Sequence, residues 1–293
     1  MHSFLRAIGF SKIKNRKELN KLLYSIVNNP DVKSVSEDSN ENILAEFRKD
    51  FGDFIGIAVR GEYREDEGFE IDYYYPYFFG NGISTKERID VEKHAEKESY
   101  AGVCDEIKIG VTLIFYLQNV IEYLNWKKMK NNNREHSGTT LSALSTKGKV
   151  ILPIRKDKSQ ISKNEKLLNN RNHLIAAARD GDEEAIESLT LEDIDTYSML
   201  SRRIVNEDVL SIVDTYFMPY GIESDQYSIM GEILDYNKIE NEITNEEIYL
   251  LKVNSNDLVF DICINKLDLL GEPDIGRRFK GNIWMQGSIN YQE

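Results

Sequence analysis

The chain from Tyr227 onward constrains the fold most, because it holds four candidate strands that lie close together in sequence. Apolar and polar residues alternate over 227–236, 247–253, 257–264 and 279–290, and a loop with glycine and proline occupies 270–276. Alternation with a period of two is typical of strands that bury one face. Strands this short and this closely spaced predict a small β-sheet or a partly open barrel.

The first half of the chain has the composition of a second sheet. Candidate strands occupy 42–49, 54–60 and 68–79. The third of these contains the aromatic run from Tyr73 to Phe79, and aromatic and β-branched residues favour strands. Two more strands are predicted over 100–117, followed by a helix that begins near Val120.

Two further local patterns complete this half. Asn15 followed by Glu18 resembles a capping box, which predicts a helix over 16–29. A hairpin is predicted from 141–145 and 150–154. The first half is therefore predicted to be a mostly antiparallel sheet with helices.

A helical connector is predicted between about 160 and 220. Its predicted helix boundaries are Gly181, Asp182, Thr190 with Asp193, and Asn206. The predicted fold class is α+β, with an N-terminal α+β unit at 1–158, the connector at 159–222 and a C-terminal β unit at 223–293.

Charge and cysteine content narrow the possible partners and the compartment. The 50 acidic and 37 basic side chains give a net charge of −13, which repels phosphate backbones and makes nucleic acid and membrane partners disfavoured. Cys104 and Cys263 are too few and too far apart for a disulfide framework or a zinc cluster. No secretory signal is recognised, so a cytoplasmic location is predicted.

Catalytic, cofactor-binding and metal-binding motifs are not found, and the sequence leaves open whether the chain is an enzyme. Gly80, Asn81 and Gly82 imitate a phosphate loop, but the spacing lacks its third glycine and favours a turn at the end of a strand. Cys104 lies beside acidic residues, which raise a thiol pKa and argue against a nucleophile. The four histidines have no ligand spacing and are predicted in loops or at the surface.

The last candidate strand suggests an interaction surface. Regular alternation places Phe279, Ile283, Met285 and Ile289 on one face. The possible surface consists of Arg277, Arg278, Lys280, Trp284 and Gln286. A large indole among polar side chains is typical of a protein contact. The alternative is that Trp284 packs under the helical connector, with the arginines neutralised by Asp268, Glu272 or Asp274.

A second basic and aromatic cluster consists of Trp126, Lys127, Lys128, Lys130 and Arg134. The end of a helix explains it, because cations there suit the helix dipole. If this cluster converged with the segment around Arg277, the two would form a groove for single-stranded nucleic acid.

Three blocks of sequence carry a resemblance to a known family. They are the opening 1–10 (MHSFLRAIGF), 218–223 (MPYGIE) and 276–284 (GRRFKGNIW). The chain resembles, over its whole length, an uncharacterised family from clostridia-like anaerobic bacteria. The resemblance implies a complete, bacterial, cytoplasmic chain, and it implies no activity, cofactor or site.

Three functional hypotheses follow. The first is a non-catalytic interaction or regulatory module that binds a protein partner through the C-terminal β unit. The second is a small-molecule binding protein, or an enzyme without a recognised motif, with a pocket near the aromatic strand. The third is a single-stranded nucleic-acid binder. The sequence predicts no oligomeric state.

Overall fold

The computed structural model describes residues 2–37, 43–64, 68–93, 99–106, 108–128, 136–154, 170–171, 173–178, 181–204 and 208–291. Their strands form a four-stranded antiparallel sheet and a larger mixed sheet, with few helices. The predicted α+β class is confirmed. Among the described helices, none has the length and apolar character needed to cross a bilayer.

The small sheet is built from consecutive strands in the order β1-β2-β3-β4. Their bounds are Val32–Glu37 for β1, Ile43–Gly52 for β2, Ile55–Arg64 for β3 and Gly68–Phe78 for β4. The three strands predicted here from composition match β2, β3 and β4. Neighbouring strands pair antiparallel, so short turns suffice to connect β2 with β3.

Two N-terminal elements cover this sheet. Helix α1, Arg16–Asn28, begins where the Asn15 side chain accepts a hydrogen bond from the Glu18 N–H at 2.8 Å, as the capping pattern predicts. Its buried residues Leu19, Leu23 and Ile26 repeat at helical spacing. The N-terminal 3-10 helix, Ser3–Ile8, buries its apolar side chains in the same core.

The large sheet contains the remaining strands. They are β5 Asp90–Lys93, β6 Tyr100–Glu106, β7 Val111–Leu117, β8 His136–Ile151, β9 Tyr216–Pro219, β10 Gln226–Glu240, β11 Glu247–Ser255, β12 Leu258–Asn265, β13 Leu269–Leu270 and β14 Arg278–Tyr291. Helix α2, Val120–Lys128, follows β7, as predicted. The strand order is β13-β8-β12-β11-β10-β14-β7-β6-β5, with β9 paired to β10.

Five of these strands close into a barrel. β14 pairs with β10 and, antiparallel, with β8, while β8 pairs parallel with β12. The hydrogen-bonded ring is therefore β8-β12-β11-β10-β14 and back to β8. The predicted C-terminal strands supply four members, and β8, from the predicted N-terminal unit, supplies the fifth. The division into three units at 1–158, 159–222 and 223–293 stays a prediction.

The hairpin predicted around residues 146–148 is wrong. β8 runs through this segment as one strand, and a bulge relative to β14 falls between Ser145 and Lys147. Gly148 serves packing rather than turning: a Cβ at Gly148 would lie 2.4 Å from the Phe279 ring inside the barrel. A Cβ at Gly281, which pairs with Gly148, would lie 2.7 Å from the same ring.

The connector differs from its prediction in two places. Helix α3, Glu183–Ile204, begins at Asp182 as predicted but continues through the predicted boundary at Thr190, whose hydroxyl donates to the Ile186 carbonyl at 2.8 Å. Asn206 lies outside the described residues, and Asp208 accepts from the Leu210 N–H in helix α4, Val209–Ile212. The final segment is not helical, because β9 pairs with β10.

Two hydrophobic cores result. One fills the barrel and the space under β7, and β14 contributes Phe279, Ile283, Met285 and Ile289 to it. The other lies between the outer face of the barrel and the small sheet with its N-terminal helices, and it includes Trp284. The predicted alternation of β14 between two faces is thus confirmed, with a buried layer on each side.

Substitution of Gly148 by valine should destabilise the protein by overpacking the barrel, by about 1–3 kcal/mol. The Phe279 ring occupies the position that the new side chain requires. The matched control is Lys149→Val, since the neighbouring Lys149 is exposed. Urea unfolding of both variants measures the effect, and equal stability of the two would contradict the packing argument.

Candidate functional site

Trp284 is buried rather than displayed. Its side chain is 5% exposed, and its indole N–H donates to the Asp225 carboxylate at 2.7 Å. His2, Phe4 and Tyr116 surround the ring, with centroids 4.7, 5.4 and 5.2 Å away. The alternative of a packed tryptophan is therefore correct, but the covering element is the N-terminal segment and not the helical connector.

The other members of the predicted surface are mostly engaged within the chain. Arg278 is buried and donates to the main-chain carbonyls of Leu152, Leu210 and Val213, which holds α4 to the barrel. Arg277 pairs with Asp274 at 3.7 Å, one of the predicted neutralising partners.

Gln286 and Lys280 complete the predicted set. Gln286 is 0% exposed, donates to the Pro76 carbonyl and accepts from the Phe78 N–H, so it joins the edge of β4 to the barrel. The Lys280 ammonium lies 5.7 Å from the centre of the Tyr216 ring. The structure thus corrects the predicted surface: Arg278, Trp284 and Gln286 are interior contacts, because a second layer covers this face of β14.

The two basic and aromatic clusters do not converge. Trp126 stacks on Tyr291 at the end of β14, at 5.2 Å, whereas Arg277 precedes its start. Measured along the strand, these ends are about 40 Å apart. Lys128 pairs with Glu37 at 3.4 Å, and Lys130 and Arg134 lie outside the described residues. The arrangement on which a nucleic-acid groove depended is therefore not present in the described part of the chain.

The backbone of the glycine-rich turn after β4 already binds a carboxylate of the protein itself. The Asn81 N–H donates to the Asp261 carboxylate at 2.6 Å, and Lys252 donates to the Asn81 carbonyl at 3.3 Å. Burial is the main cause that raises the pKa of Asp261 above its ordinary value. A carboxylate in this place would repel a phosphate, which agrees with the turn interpretation.

A buried polar cluster joins the small sheet to the barrel. Arg60 is 6% exposed, and its guanidinium donates to Glu46, to the hydroxyls of Tyr73, Tyr75 and Tyr116, and to the Gln118 carbonyl. The single proton of the Tyr75 hydroxyl has two acceptors within reach, Glu46 at 3.1 Å and the Gln118 carbonyl at 3.2 Å. Saturated hydrogen bonding is what a buried charge requires.

We refer to this group of residues as the Arg60 cluster. The pKa shifts of its members indicate a structural role. Burial lowers the pKa of Arg60, but the carboxylate of Glu46 and the tyrosines raise it well above its usual value. Burial also raises the pKa of Tyr73, Tyr75 and Tyr116. The guanidinium therefore stays charged and the three phenols stay protonated at neutral pH.

An open cavity of about 390 Å³ lies at the end of β4, where the aromatic strand leaves the core. It is lined by Val32, Arg48, Asp50, Gly52, Asp53, Phe54, Tyr77, Phe79 and Glu242. This volume falls in the range of small-molecule sites, which is roughly 300–1,000 Å³. We refer to it as the β4 cavity.

Two turns that are distant in sequence meet at the β4 cavity. The Glu242 N–H donates to the Phe51 carbonyl at 2.9 Å, which joins the turn after β10 to the end of β2. A Cβ at Gly52 would lie 3.1 Å from the Glu240 carbonyl oxygen, so glycine allows this approach. The cavity is therefore framed by the small sheet and by the barrel together.

Charged and aromatic groups alternate around the β4 cavity. Asp50 accepts a hydrogen bond from the Tyr77 hydroxyl, and burial with this carboxylate raises the pKa of Tyr77. The Arg48 guanidinium lies 5.4 Å from the centre of the Phe79 ring and 3.5 Å from Glu46. Glu46 thus connects the Arg60 cluster with Arg48 of the cavity lining.

Phe54 is the most unusual residue of the lining. Its φ of 63° is left-handed, although a bulky side chain disfavours that region by roughly 1–2 kcal/mol. Its side chain is 57% exposed at the turn between β2 and β3. A strained, exposed aromatic residue beside a cavity is a feature that stability alone does not favour.

The sequence pointed to this region in part. The hypothesis of a pocket near the aromatic strand named the segment that contributes Tyr77 and Phe79, whereas Tyr73 and Tyr75 belong to the Arg60 cluster. The acidic residues of the lining were missed. Gly52 followed by Asp53 was a turn signal, but no sequence signal brings Glu242 to the same place.

Both cysteines are held as protonated thiols. Burial, and then the carboxylate of Glu106, raise the pKa of Cys104 to about 12. Burial raises the pKa of Cys263 as well. In the parts of the chain that the structure covers, His, Cys, Asp and Glu side chains form no group of three or more suited to a metal ion.

Removal of one partner from the Arg60 cluster should destabilise the protein strongly. Glu46→Leu leaves Arg60 buried without its carboxylate and should cost about 3–5 kcal/mol, whereas Glu46→Leu combined with Arg60→Met should recover much of that loss. Urea unfolding of the single and double variants measures the coupling. Additive effects of the two substitutions would contradict the described pairing.

Thiol reactivity should follow the raised pKa values. Cys104 remains a protonated thiol until the pH approaches about 12, compared with 9.0 for an ordinary thiol. The native protein should therefore react slowly with a disulfide reagent at about pH 8, and both thiols should react in concentrated guanidinium. Because the folded state holds the proton more tightly, Cys104 should reduce stability as the pH rises from about 9 towards 12. Rapid labelling of the native chain would contradict this arrangement.

Comparison with known proteins gives a family and no function. The family model described as a domain of unknown function, E. rectale gene description (DUF3881), matches residues 5–287. Among curated proteins and among solved structures, no match to the chain was found. The match spans nearly the whole chain and confirms the resemblance to an uncharacterised family. The chain therefore belongs to the DUF3881 family.

Proposed function

We propose that this chain is a non-catalytic binding module whose ligand is a small molecule held in the β4 cavity. The observation that supports this function is the combination of sufficient volume, aromatic walls and a few charged groups in one concave site. Small-molecule sites generally combine an apolar lining with a small number of polar groups that orient the ligand. A regulatory role fits the position of the cavity between the small sheet and the barrel, since a ligand there contacts both.

The non-catalytic part of the proposal rests on the state of the buried ionisable groups. The Arg60 cluster satisfies its own hydrogen bonds, and Cys104 is held as a thiol. Catalysis needs a group whose pKa lies near the working pH or a nucleophile activated by a base. The described groups with shifted pKa values point away from both conditions.

We retain the interaction hypothesis in a narrower form than the one that the sequence suggested. Burial of Trp284 and Gln286 removes the support for docking through β14. A protein partner could respond to the occupied cavity, which connects the interaction hypothesis with the small-molecule hypothesis. We also propose a cytoplasmic location, which is supported by two buried thiols that lie in separate cores and leave disulfide chemistry unused.

Phe54→Asn should separate binding from stability. Asparagine tolerates the left-handed conformation, so relief of strain should offset the lost apolar contact, and the unfolding free energy should stay within about 1 kcal/mol of the parent. Native mass spectrometry of the protein purified gently from its own cells should show an additional small mass per chain. That mass should be lost or reduced in the Phe54→Asn variant.

Tyr24→Ala provides the matched control. Tyr24 is an aromatic residue of α1 with 61% exposure, similar to Phe54, and it does not line the cavity. The additional mass should persist in this variant. A parent protein that carries no small molecule, or a mass that both variants retain equally, would refute the β4 cavity as the ligand site.

A further inference from the structure

We infer that the ligand of the β4 cavity is an organic cation, with an ammonium or guanidinium group attached to an apolar body. This inference rests on the proposed function and adds the chemical class of the ligand. Three features of the cavity carry it: the balance of charge in the lining, the engagement of its arginine, and the position of its aromatic rings.

The lining carries more negative than positive charge. Asp50, Asp53 and Glu242 contribute carboxylates, and Arg48 contributes a guanidinium. All three acidic residues are exposed at the cavity, so they retain contact with solvent and with an entering ligand. A concave site lined mainly by one sign of charge raises the local concentration of the opposite ion.

Arg48 already has partners on the protein. Its buried Nε makes no hydrogen bond but lies 3.5 Å from the Glu46 carboxylate, and its guanidinium lies over the Phe79 ring. The nearby carboxylate partly neutralises the charge of Arg48. An anionic ligand would have to compete with Glu46 for Arg48 and approach the three carboxylates of the lining at the same time.

The aromatic residues provide the second half of the recognition. Tyr77 is buried and holds the Asp50 carboxylate in place through its hydroxyl, while Asp50 itself stays exposed at the cavity. Phe54 supplies an exposed ring in the lining. A cation close to a ring face gains about 0.5–2 kcal/mol in many sites, and an apolar body attached to it gains from burial.

The overall charge of the chain disfavours an anionic ligand. The whole chain has a net charge of −13. Long-range steering therefore also favours a cation, and its contribution should weaken as salt is added. Salt dependence is consequently a diagnostic of this inference that an uncharged ligand would not show.

Three probes of similar shape test the inference directly: 2-phenylethylamine, 2-phenylethanol and phenylacetate. They share a phenyl ring and a short chain and differ in charge. Titration of the isotope-labelled protein, followed by NMR, should show shifts at cavity residues with the amine bound about 10-fold more tightly than the alcohol. Phenylacetate should bind most weakly, and added potassium chloride should weaken the amine alone.

Two lining substitutions remove charge with little change of shape. Asp53→Asn and Glu242→Gln should each weaken binding of the amine about 2- to 5-fold and leave binding of the alcohol unchanged. Glu232→Gln is the matched control, because Glu232 is an exposed acid of β10 that does not line the cavity. It should not change the affinity for either probe.

The outcomes distinguish the inference from the function on which it rests. Equal binding of amine and alcohol at the cavity, or tightest binding of phenylacetate, would overturn the cationic ligand and retain the β4 cavity as a binding site. Failure of every probe to shift cavity residues would overturn both. Binding of the amine that Glu232→Gln weakens as much as Asp53→Asn would also overturn the inference, because it would reflect overall charge.

Discussion

The pairing of β14 with β8 is the interaction on which the rest of the structure depends. It runs from Arg278 opposite Ile151 to Tyr291 opposite His136 and joins the end of the described chain to its middle. One face of β14 fills the barrel, and the other holds the N-terminal segment against Trp284 and the edge of β4 against Gln286. Both hydrophobic cores therefore need this single seam of backbone hydrogen bonds, and the edge of the small sheet is satisfied by side chains instead of a further strand.

The sequence predicted most strands because alternation is a local property. β10, β11, β12 and β14 alternate apolar with polar residue types, and that periodicity is readable in one segment at a time, although β12 and β14 are buried on both faces. Closure of the barrel could not be predicted from the sequence, because the parallel pairing of Asp261 with Ser142 joins two segments that share no local sequence signal. Glycine was misread for a related reason: Gly148 makes room for a ring on another strand, which composition cannot distinguish from a turn.

The candidate surface shows how a correct pattern leads to a wrong environment. Alternation separated Trp284 from Ile283 correctly, but polar neighbours suggested solvent on the side of Trp284. Those neighbours instead satisfy backbone groups at a junction between two layers, as the bonds of Gln286 to Pro76 and Phe78 show. A single sequence records that a residue is polar, and it does not record whether water or a second sheet provides the hydrogen bonds.

The β4 cavity differs from the rest of the molecule in how its charges are satisfied. Inside, Arg60 has its donors occupied by Glu46, tyrosine hydroxyls and a carbonyl, so this guanidinium is not available to a ligand. At the cavity, Asp53 and Glu242 remain exposed, and Phe54 keeps a left-handed backbone. The contact between the turns at Gly52 and Glu240 holds this strained region in place. Packing of the barrel and the small sheet therefore offsets the free-energy cost of the strained backbone. The residues of the Arg60 cluster and of the β8–β14 seam are thus committed to contacts within the fold, which leaves the lining of the cavity as a part where residues can be selected for binding.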